Sequence, residues 1–319
     1  MATLQAFEGL LKNWECRDCW VKAIGERFDF IPSAGEAGMR SVLITGYYQP
    51  VIEGSLAPTA EYKYPIYGIP GDLMVIDAET SSSVSGMSKK SGRLKGDEFV
   101  PYYSRAEIDL QGALRGRGHE IAWGKDPVDI FFMHIQGSGI LQLPDGKRMQ
   151  VGYAAQNGRP YRSIGRLLID TGKIPQQEMS MQRLRRYLAE NPSERDDIMA
   201  YNESYVFFRV LRGGPVGNLD VPVTMGRSIA TDLRLYPKGA LAFVYSERPV
   251  LDGRGDLIGW TPFVRFVLNQ DAGGAIRGRQ RVDLYFGAGD RAGAEAGYMN
   301  SRGKLYFLAL KNPSKTATR

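Results

Sequence analysis

Histidine and cysteine are scarce in this chain, which limits the chemistry that it can perform. Among 319 residues there are two histidines, His119 and His134, and two cysteines, Cys16 and Cys19. So few imidazoles exclude a histidine-rich metal centre, and neither histidine is accompanied by the nucleophile elbow of a Ser-His-Asp hydrolase. We therefore expect no metal and no cofactor, so acid–base chemistry would fall to carboxylates.

The two cysteines form a single C-x-x-C motif, which is compatible with three chemistries. It could be a redox pair, half of a zinc site or a local disulfide. A zinc site needs further soft ligands, and both histidines lie far away in the sequence. No thioredoxin-like βαβ pattern surrounds the motif, so we interpret Cys16 and Cys19 as structural or incidental.

Long apolar runs are absent as well, and no run reaches the roughly 18 residues that a membrane-spanning helix needs. Charged residues such as Glu8, Lys12 and Arg17 interrupt the first twenty positions, which argues against the apolar core of a signal peptide. The net charge of +6 is mild and its lysines and arginines are dispersed. We expect no nucleic-acid partner, whereas an anionic cell-wall polymer is a plausible one.

Glycine is abundant at 38 residues, and the order of patterns along the chain indicates a β-rich protein with a helical insertion. Residues 41–50 predict a strand that ends at Pro50, and the apolar run 129–136 also reads as a strand. Residues 161–200 predict three helices, capped by Ser163, Ser180 and Ser193. Short strands return after residue 204 at 205–208, 221–224, 241–245, 263–267, 282–286 and 304–310, with turns predicted at 252–253 and 302–303. Such spacing favours a small closed barrel.

Three aspartates near the end of the chain are the first candidates for function. Asp271 precedes the Gly273-Gly274 pair, Asp283 interrupts the strand pattern VDLYF, and Asp290 follows another glycine. A carboxylate beside a half-buried strand must be paired, hydrogen-bonded or partly protonated. A carboxyl with a raised pKa is what an acid–base catalyst needs near neutral pH. Read alone, however, the three aspartates fit turn and surface positions better.

Two further segments combine aromatic or polar side chains with glycine. The segment TGYYQP at 45–50 places Thr45, Tyr47 and Tyr48 at a strand end, where an aromatic ring could stack on a sugar. The segment QGSG at 136–139 offers Gln136 and Ser138 beside glycines that permit close approach of a ligand. A buried aromatic and an ordinary glycine turn are the commoner interpretations of each segment read alone.

Together these segments closely resemble the membrane-bound lytic murein transglycosylase A family of cell-wall enzymes. The resemblance extends in family order from about residue 40 to about residue 310. It rests on residues 45–50, 64–67, 126–139, 151–158, 160–166, 202–208 and 226–230, and on the three-aspartate region. Family members usually have a longer N-terminus with a signal peptide and, in many Gram-negative examples, a lipidated cysteine, and we expect neither in this chain.

The resemblance implies a mainly β protein of two domains that face each other across a groove. Residues 1–50 and 212–319 would form a discontinuous double-psi β-barrel, the catalytic domain. Residues 51–211 would form an inserted, smaller β-barrel domain with helices. It also implies a periplasmic or envelope location, peptidoglycan glycan strands as the partner, possible complexes with other wall enzymes, and a monomer.

The activity implied is cleavage of the β-1,4 bond between N-acetylmuramic acid and N-acetylglucosamine, leaving a 1,6-anhydro ring. Asp283 would be the single acid and then base, with Asp271 as its neighbour or as an organiser of Gly273-Gly274, and Asp290 as scaffolding. The expected sugar contacts are Thr45, Tyr47, Tyr48, Gln136 and Ser138. One alternative is a hydrolase that uses two carboxylates, since most glycosidases need a pair. Others are a non-catalytic peptidoglycan-binding protein and a redox protein using Cys16 and Cys19.

Overall fold

The computed structural model describes residues 2–12, 15–33, 41–78, 88–274 and 276–311. The α-helices are α1 (Ala2–Leu11), α2 (Arg17–Arg27), α3 (Pro127–Gln136), α4 (Ile164–Asp170), α5 (Met181–Glu190), α6 (Pro192–Ala200) and α7 (Asp290–Tyr298). The strands are β1 (Phe28–Pro32), β2 (Val42–Gln49), β3 (Val51–Ser55), β4 (Tyr64–Tyr67), β5 (Met74–Ala78), β6 (Ser88–Lys95), β7 (Glu98–Pro101), β8 (Glu120–Gly124), β9 (Ser138–Gln142), β10 (Arg148–Gln156), β11 (Val206–Leu211), β12 (Ser228–Ala230), β13 (Leu241–Leu251), β14 (Leu257–Asp271), β15 (Arg281–Ala288) and β16 (Asn300–Leu310). In the described part of the chain, no helix combines the length and the apolar character that crossing a bilayer would require.

The chain divides into two compact units. The first contains Met1–Gly46, Gly217–Phe286 and Met299–Arg319, and the second contains Tyr47–Val216 and Gly287–Tyr298. The sequence had placed these boundaries near residues 50 and 212. It had also assigned the segment Gly287–Tyr298, which includes α7, to the discontinuous domain rather than to the inserted one.

The first unit is built on a closed barrel of six strands. Their order is β16-β13-β14-β12-β15-β2, and β2 pairs back to residues 300–303 of β16. Strand β1 pairs with the later residues 306–310 of β16. The short strand β12 runs parallel to β14 and antiparallel to β15. Helices α1 and α2 cover part of the outer face, where the Phe7 ring lies 4.9 Å from that of Phe266. Cys16 and Cys19 form a disulfide at the start of α2, and the Cys16 sulfur accepts the N–H of Cys19.

The second unit contains a six-stranded sheet in the order β11-β10-β9-β3-β8-β4, a three-stranded sheet β5-β6-β7, and five α-helices among its described residues. Helix α3 lies at its centre and contributes to two apolar clusters. Ile130 and Met133 pack with strand residues of the six-stranded sheet. Phe131 and Phe132 pack with residues of α4, α5 and α6. Because both faces of α3 are buried, its sequence has no polar side.

The prediction of a strand at 129–136 was therefore wrong, since these residues form most of α3. Asp126 caps the helix by accepting the N–H of Val128 at 2.8 Å, and Pro127 occupies its first position. Gly137 ends it in the left-handed conformation with φ 75°. A short run that is apolar all round carries no periodicity to separate a buried helix from a buried strand. The capping residues Asp126, Pro127 and Gly137 are the local sequence features that distinguish this helix from a strand.

The helical segment was predicted more accurately at its first two caps. Ser163 and Ser180 cap α4 and α5 as expected, each accepting the N–H three residues ahead. The cap predicted at Ser193 is wrong, because Pro192 already occupies the first turn of α6.

Two predictions in the strand region are also wrong. Residues 221–224 form no strand of the sheets, and the predicted turn at 302–303 lies inside β16. Gly303 is needed in that strand because a Cβ there would lie 2.6 Å from the Tyr245 carbonyl oxygen.

Replacing Gly137 by Ala is expected to lower the free energy of unfolding by about 1–2 kcal/mol. No atom lies within 4 Å of the position of the added Cβ, so the penalty comes from the left-handed backbone alone. The matched control is Gly25→Ala within α2, where space is also free and φ is not left-handed. That variant should gain up to about 1 kcal/mol from helix propensity. Urea unfolding of both variants measures the contrast, and equal signs would contradict it.

Candidate active site

Asp283 lies in the wall of the barrel, on β15 between β12 and β2. The alternation of β15 buries Val282 and Leu284, and the apolar residues 285–286 that follow are buried too. Asp283 is half-buried, and its backbone is paired with Ala230 of β12. The strand pattern VDLYF therefore places one carboxyl in a largely apolar stretch of the barrel wall.

The Asp283 carboxyl has a close partner in Thr45 of β2. The Thr45 hydroxyl donates a hydrogen bond to Oδ1 of Asp283. The same hydroxyl oxygen lies 3.4 Å from Nη2 of Arg281 and accepts its hydrogen bond. Thr45, expected as a sugar contact, thus links the arginine to the carboxyl and fixes the orientation of Asp283.

Arg281 belongs to this site although the sequence analysis did not select it. It precedes Asp283 by two residues on β15, a spacing that places both side chains on one face of the strand. Its Nε is buried and has no hydrogen-bond partner. The period of two residues, applied from Asp283, was the signal that could have identified it.

The pKa of the Asp283 carboxyl is raised above its ordinary value. The largest cause is burial, which disfavours the charged form, since surrounding protein atoms limit hydration although part of the residue is accessible. The hydrogen bond from Thr45 and the charge of Arg281 both lower the pKa, and burial outweighs them. A carboxyl with a raised pKa retains its proton at higher pH and can donate it to a leaving oxygen.

Asp271 lies at the same level of the barrel as Asp283 but two strands away. Ala230 of β12 is paired with Asp271 on one side and with Asp283 on the other. Since neighbouring strands lie about 4.8 Å apart, the two backbones are about 10 Å apart. Oδ1 of Asp271 accepts the N–H of Ala272 at 2.8 Å and of Asn218 at 3.1 Å. These bonds fix the start of the loop that carries Gly273 and Gly274.

The expected sugar contacts on 47–48 and 136–138 belong to the second unit. The N–H of Tyr48 donates to Oε1 of Gln136 at 3.0 Å. The Tyr48 side chain is buried, and a Cβ on Gly293 of α7 would lie 2.7 Å from its ring, so this tyrosine packs against the helix. Tyr47 and Ser138 are half-buried.

The remaining aspartate of the sequence prediction, Asp290, opens helix α7. It is exposed and lies in the first turn, where a negative charge interacts favourably with the helix dipole. The structure thus groups the predicted residues into three sets. Asp283 joins Thr45, Asp271 joins the loop of Gly273 and Gly274, and Tyr48 joins Gln136.

Two models of known protein domains match the chain. The MltA-specific insert domain matches residues 43–209, and the 3D domain matches residues 227–309. The membrane-bound lytic murein transglycosylase A of Escherichia coli K12 is 34% identical over 91% of this chain and 73% of its own length. The chain belongs to the membrane-bound lytic murein transglycosylase A family. The Vibrio cholerae member is 33% identical over 85% of this chain, which spans 66% of that relative's length.

Solved structures of lytic murein transglycosylases share the fold. The membrane-bound enzyme of Agrobacterium tumefaciens superposes with a TM-score of 0.78 at 33% identity, over 96% of this chain and 84% of that one. The E. coli MltA structure with bound chitohexaose gives a TM-score of 0.69 at 32% identity, over 85% and 72% of the two chains. The prediction of a mainly β, two-domain transglycosylase A fold is confirmed.

In this transglycosylase A chain, Arg281→Gln is expected to move the alkaline limb of kcat/KM to higher pH. Arg281 lowers the pKa of Asp283, so removing its charge lets the pKa rise further. The protonated acid then persists to higher pH, and the rate falls later as pH increases. Arg277→Gln is the control, since it removes an equal charge from the exposed loop before β15. A pH–rate profile that is the same for both variants would contradict the expectation.

Proposed function

We propose that this chain cleaves the β-1,4 bond between N-acetylmuramic acid and N-acetylglucosamine in peptidoglycan, with Asp283 as its acid and base. The observation that carries the proposal is the single half-buried carboxyl on β15, held by Thr45 and with a pKa raised by burial. Family membership supplies the activity and the substrate polymer.

The first step is transfer of the Asp283 proton to the glycosidic oxygen, which leaves as a hydroxyl on the N-acetylglucosamine side. The bond between that oxygen and the anomeric carbon breaks as positive charge develops on the sugar ring. Asp283 is then a carboxylate, which the Thr45 hydrogen bond and the charge of Arg281 stabilise. Residues that lower the pKa of the resting acid therefore favour the state that follows proton donation.

The second step closes the 1,6-anhydro ring. The C6 hydroxyl of the same muramic acid residue attacks the anomeric carbon, and the Asp283 carboxylate takes its proton. Because this nucleophile is tethered to the reacting carbon, its effective concentration replaces a positioned water and a second carboxylate. Asp283 ends the reaction as the protonated acid with which it began, so the enzyme neither gains nor loses a proton overall.

Asp271 supports this site as a positioning residue in our proposal. Its carboxylate holds the loop start through Ala272 and Asn218, which places Gly273 and Gly274 where backbone can approach a sugar. Among the described residues of the second unit, we propose Tyr47, Gln136 and Ser138 as sugar contacts. Tyr48 would act by holding Gln136 in place.

A hydrolase of the same bond is the second candidate, because Asp271 shares a sheet level with Asp283. The separation of about 10 Å between their backbones leaves room for a water, as in inverting glycosidases. Against this, Asp271 is committed to two backbone N–H groups.

Mass spectrometry of the soluble products from isolated sacculi separates the two candidates. Our proposal expects anhydro-muramoyl ends, which lack the mass of one water relative to hydrolysed ends. Products that all carry the added water would establish the hydrolase instead. Sacculus binding without release of soluble fragments would favour a binding protein.

The names of the relatives indicate association with the cell envelope. We propose a periplasmic location for this chain, where murein is accessible. We also propose that it acts as a monomer and joins other wall-synthesising or wall-degrading enzymes through contacts outside the Asp283 site.

A further inference from the structure

Three arginines lie on or beside the β13–β14 hairpin. Val244 of β13 is paired with Arg265 of β14, and Arg248 is paired with Thr261. Residues directly opposite in a sheet share a face, and so do alternate residues along a strand. Arg248 and Arg265 therefore project from the same face, separated by the buried pair Ser246 and Phe263.

Arg227 completes the group from the segment that leads into β12. Its Nη1 donates to the carbonyl of Phe266 at 3.0 Å, next to Arg265 in the sequence. The Arg265 guanidinium lies over the Phe263 ring, 5.0 Å from its centroid, and its Nη1 lies 3.1 Å from where a Cβ of Gly226 would be. Close approach of Arg265 thus depends on the absence of a side chain at Gly226.

The charges of these arginines are not balanced by a protein acid. In the described ranges, none of the three forms an ion pair with a carboxylate of this chain, although such pairs are common elsewhere in it. The pKa of Arg265 is lowered, first by burial and then by the charges of Arg227 and Arg248. Arg248 and Arg265 are half-buried and Arg227 is exposed. The mutual repulsion of their charges costs free energy that a bound anion would offset.

The arginine cluster reaches the strand that carries the proposed catalytic acid. Gly226, which Arg265 contacts, donates its N–H to the carbonyl of Tyr285 at 2.8 Å. Tyr285 follows Asp283 by two residues, or about 7 Å along β15. The arginine cluster is therefore connected, through Gly226, to the strand that carries Asp283.

We propose that Arg227, Arg248 and Arg265 form a subsite for a carboxylate on the peptide that murein carries. This inference rests on the proposed function for the choice of substrate. Planar guanidinium groups bind carboxylates through paired, charge-assisted hydrogen bonds, which suits them to the free carboxylates of the wall peptide. The glycan contacts that we propose are uncharged side chains, so the subsite would distinguish strands that carry peptides from bare strands.

The test compares the binding of two ligands by isothermal titration calorimetry. One is soluble glycan strands with their peptides, and the other is the same strands after enzymatic removal of the peptides and amidation of the lactyl carboxylates that this removal exposes. Every protein carries Asp283→Asn, and mass spectrometry of the strands after each titration establishes that they are intact. We expect Arg248→Gln and Arg227→Gln each to raise the Kd for peptide-bearing strands about tenfold. The Kd for bare strands should stay within about twofold.

Arg254→Gln provides the matched control, because it removes an exposed arginine from the turn of the same hairpin. It should leave both dissociation constants unchanged, and Arg248→Lys should retain part of the preference. Equal weakening on both ligands, no weakening, or a parent protein that binds both ligands equally would overturn the subsite. Failure of the proposed function is a separate result, namely wild-type protein that releases no anhydro product from sacculi.

Discussion

Replacing Asp283 by Asn should reduce the rate of release of anhydro-muropeptides from sacculi about 1,000-fold, or about 4 kcal/mol of barrier. Asparagine keeps the size of the side chain and can still accept the hydrogen bond from Thr45. It can neither protonate the glycosidic oxygen nor take the proton of the C6 hydroxyl. Because Asp283 performs both steps in our proposal, no second carboxyl would remain to catalyse either step.

The control for this loss is Asp290→Asn, which removes an equal charge from an exposed helix start. It should retain the wild-type rate. Asp271→Asn should lie between the two, because one amide oxygen can still accept the N–H groups of Ala272 and Asn218. A rate for Asp283→Asn within about tenfold of wild type, less than about 1.4 kcal/mol, would rule out Asp283 as the acid.

Asp283→Asn should also change how the free energy of unfolding depends on pH, which a general loss of structure would not do. The folded pKa of Asp283 is raised, so its contribution to stability is fully present below the ordinary aspartate pKa. That contribution is lost as pH rises through the folded value. Asparagine does not titrate, so Asp283→Asn should become more stable relative to wild type as pH rises through this window. Urea unfolding across the window should show the difference widening and then becoming constant.

The sequence predicted the parts of this site that depend on strand alternation. A carboxyl at Asp283 within VDLYF and a hydroxyl at Thr45 both follow from the period of two residues, and Arg281 could have followed from the same rule. The alternation of residues did not indicate which strands would be neighbours in the sheet. The parallel pairing of β12 with β14 places Asp271 level with Asp283 across Ala230. Only the strand pairing shows that the backbones of these two residues lie two strands apart rather than side by side.

Helix α3 shows a second limit of sequence patterns. Its apolar run is buried on two sides, so periodicity gave no answer, whereas Asp126, Pro127 and Gly137 marked both ends. Local capping chemistry was therefore more informative there than hydrophobic pattern. Nothing local indicated that His134 on this helix would meet Arg105, because that contact joins residues far apart in the sequence.

Arg105 is 2% exposed, and the second prediction with a large effect concerns this buried charge. Its Nε donates to the Asn202 carbonyl at 3.0 Å, and its Nη2 donates to the Ser204 carbonyl at 2.6 Å. Its Nη1 lies 3.0 Å from Nδ1 of His134 and 3.4 Å from Oδ2 of Asp109. Burial, together with the charge of Arg105, holds the pKa of His134 well below its ordinary value. The neutral imidazole can therefore accept at Nδ1.

Arg105→Met should lower the free energy of unfolding of the second unit by about 3–5 kcal/mol, because it leaves these buried acceptors without a donor. Arg105→Lys should recover only part, since one ammonium cannot reproduce the guanidinium fork. Arg166→Met is the control, as that side chain is 68% exposed and, among the residues that the structure describes, pairs with Asp170 four residues along α4. It should cost less than about 0.5 kcal/mol. Urea unfolding provides the measurement, and a cost for Arg105→Met as small as the control's would mean that solvent replaces the lost donors. The network would then contribute little to the packing of α3 against the segment 202–205.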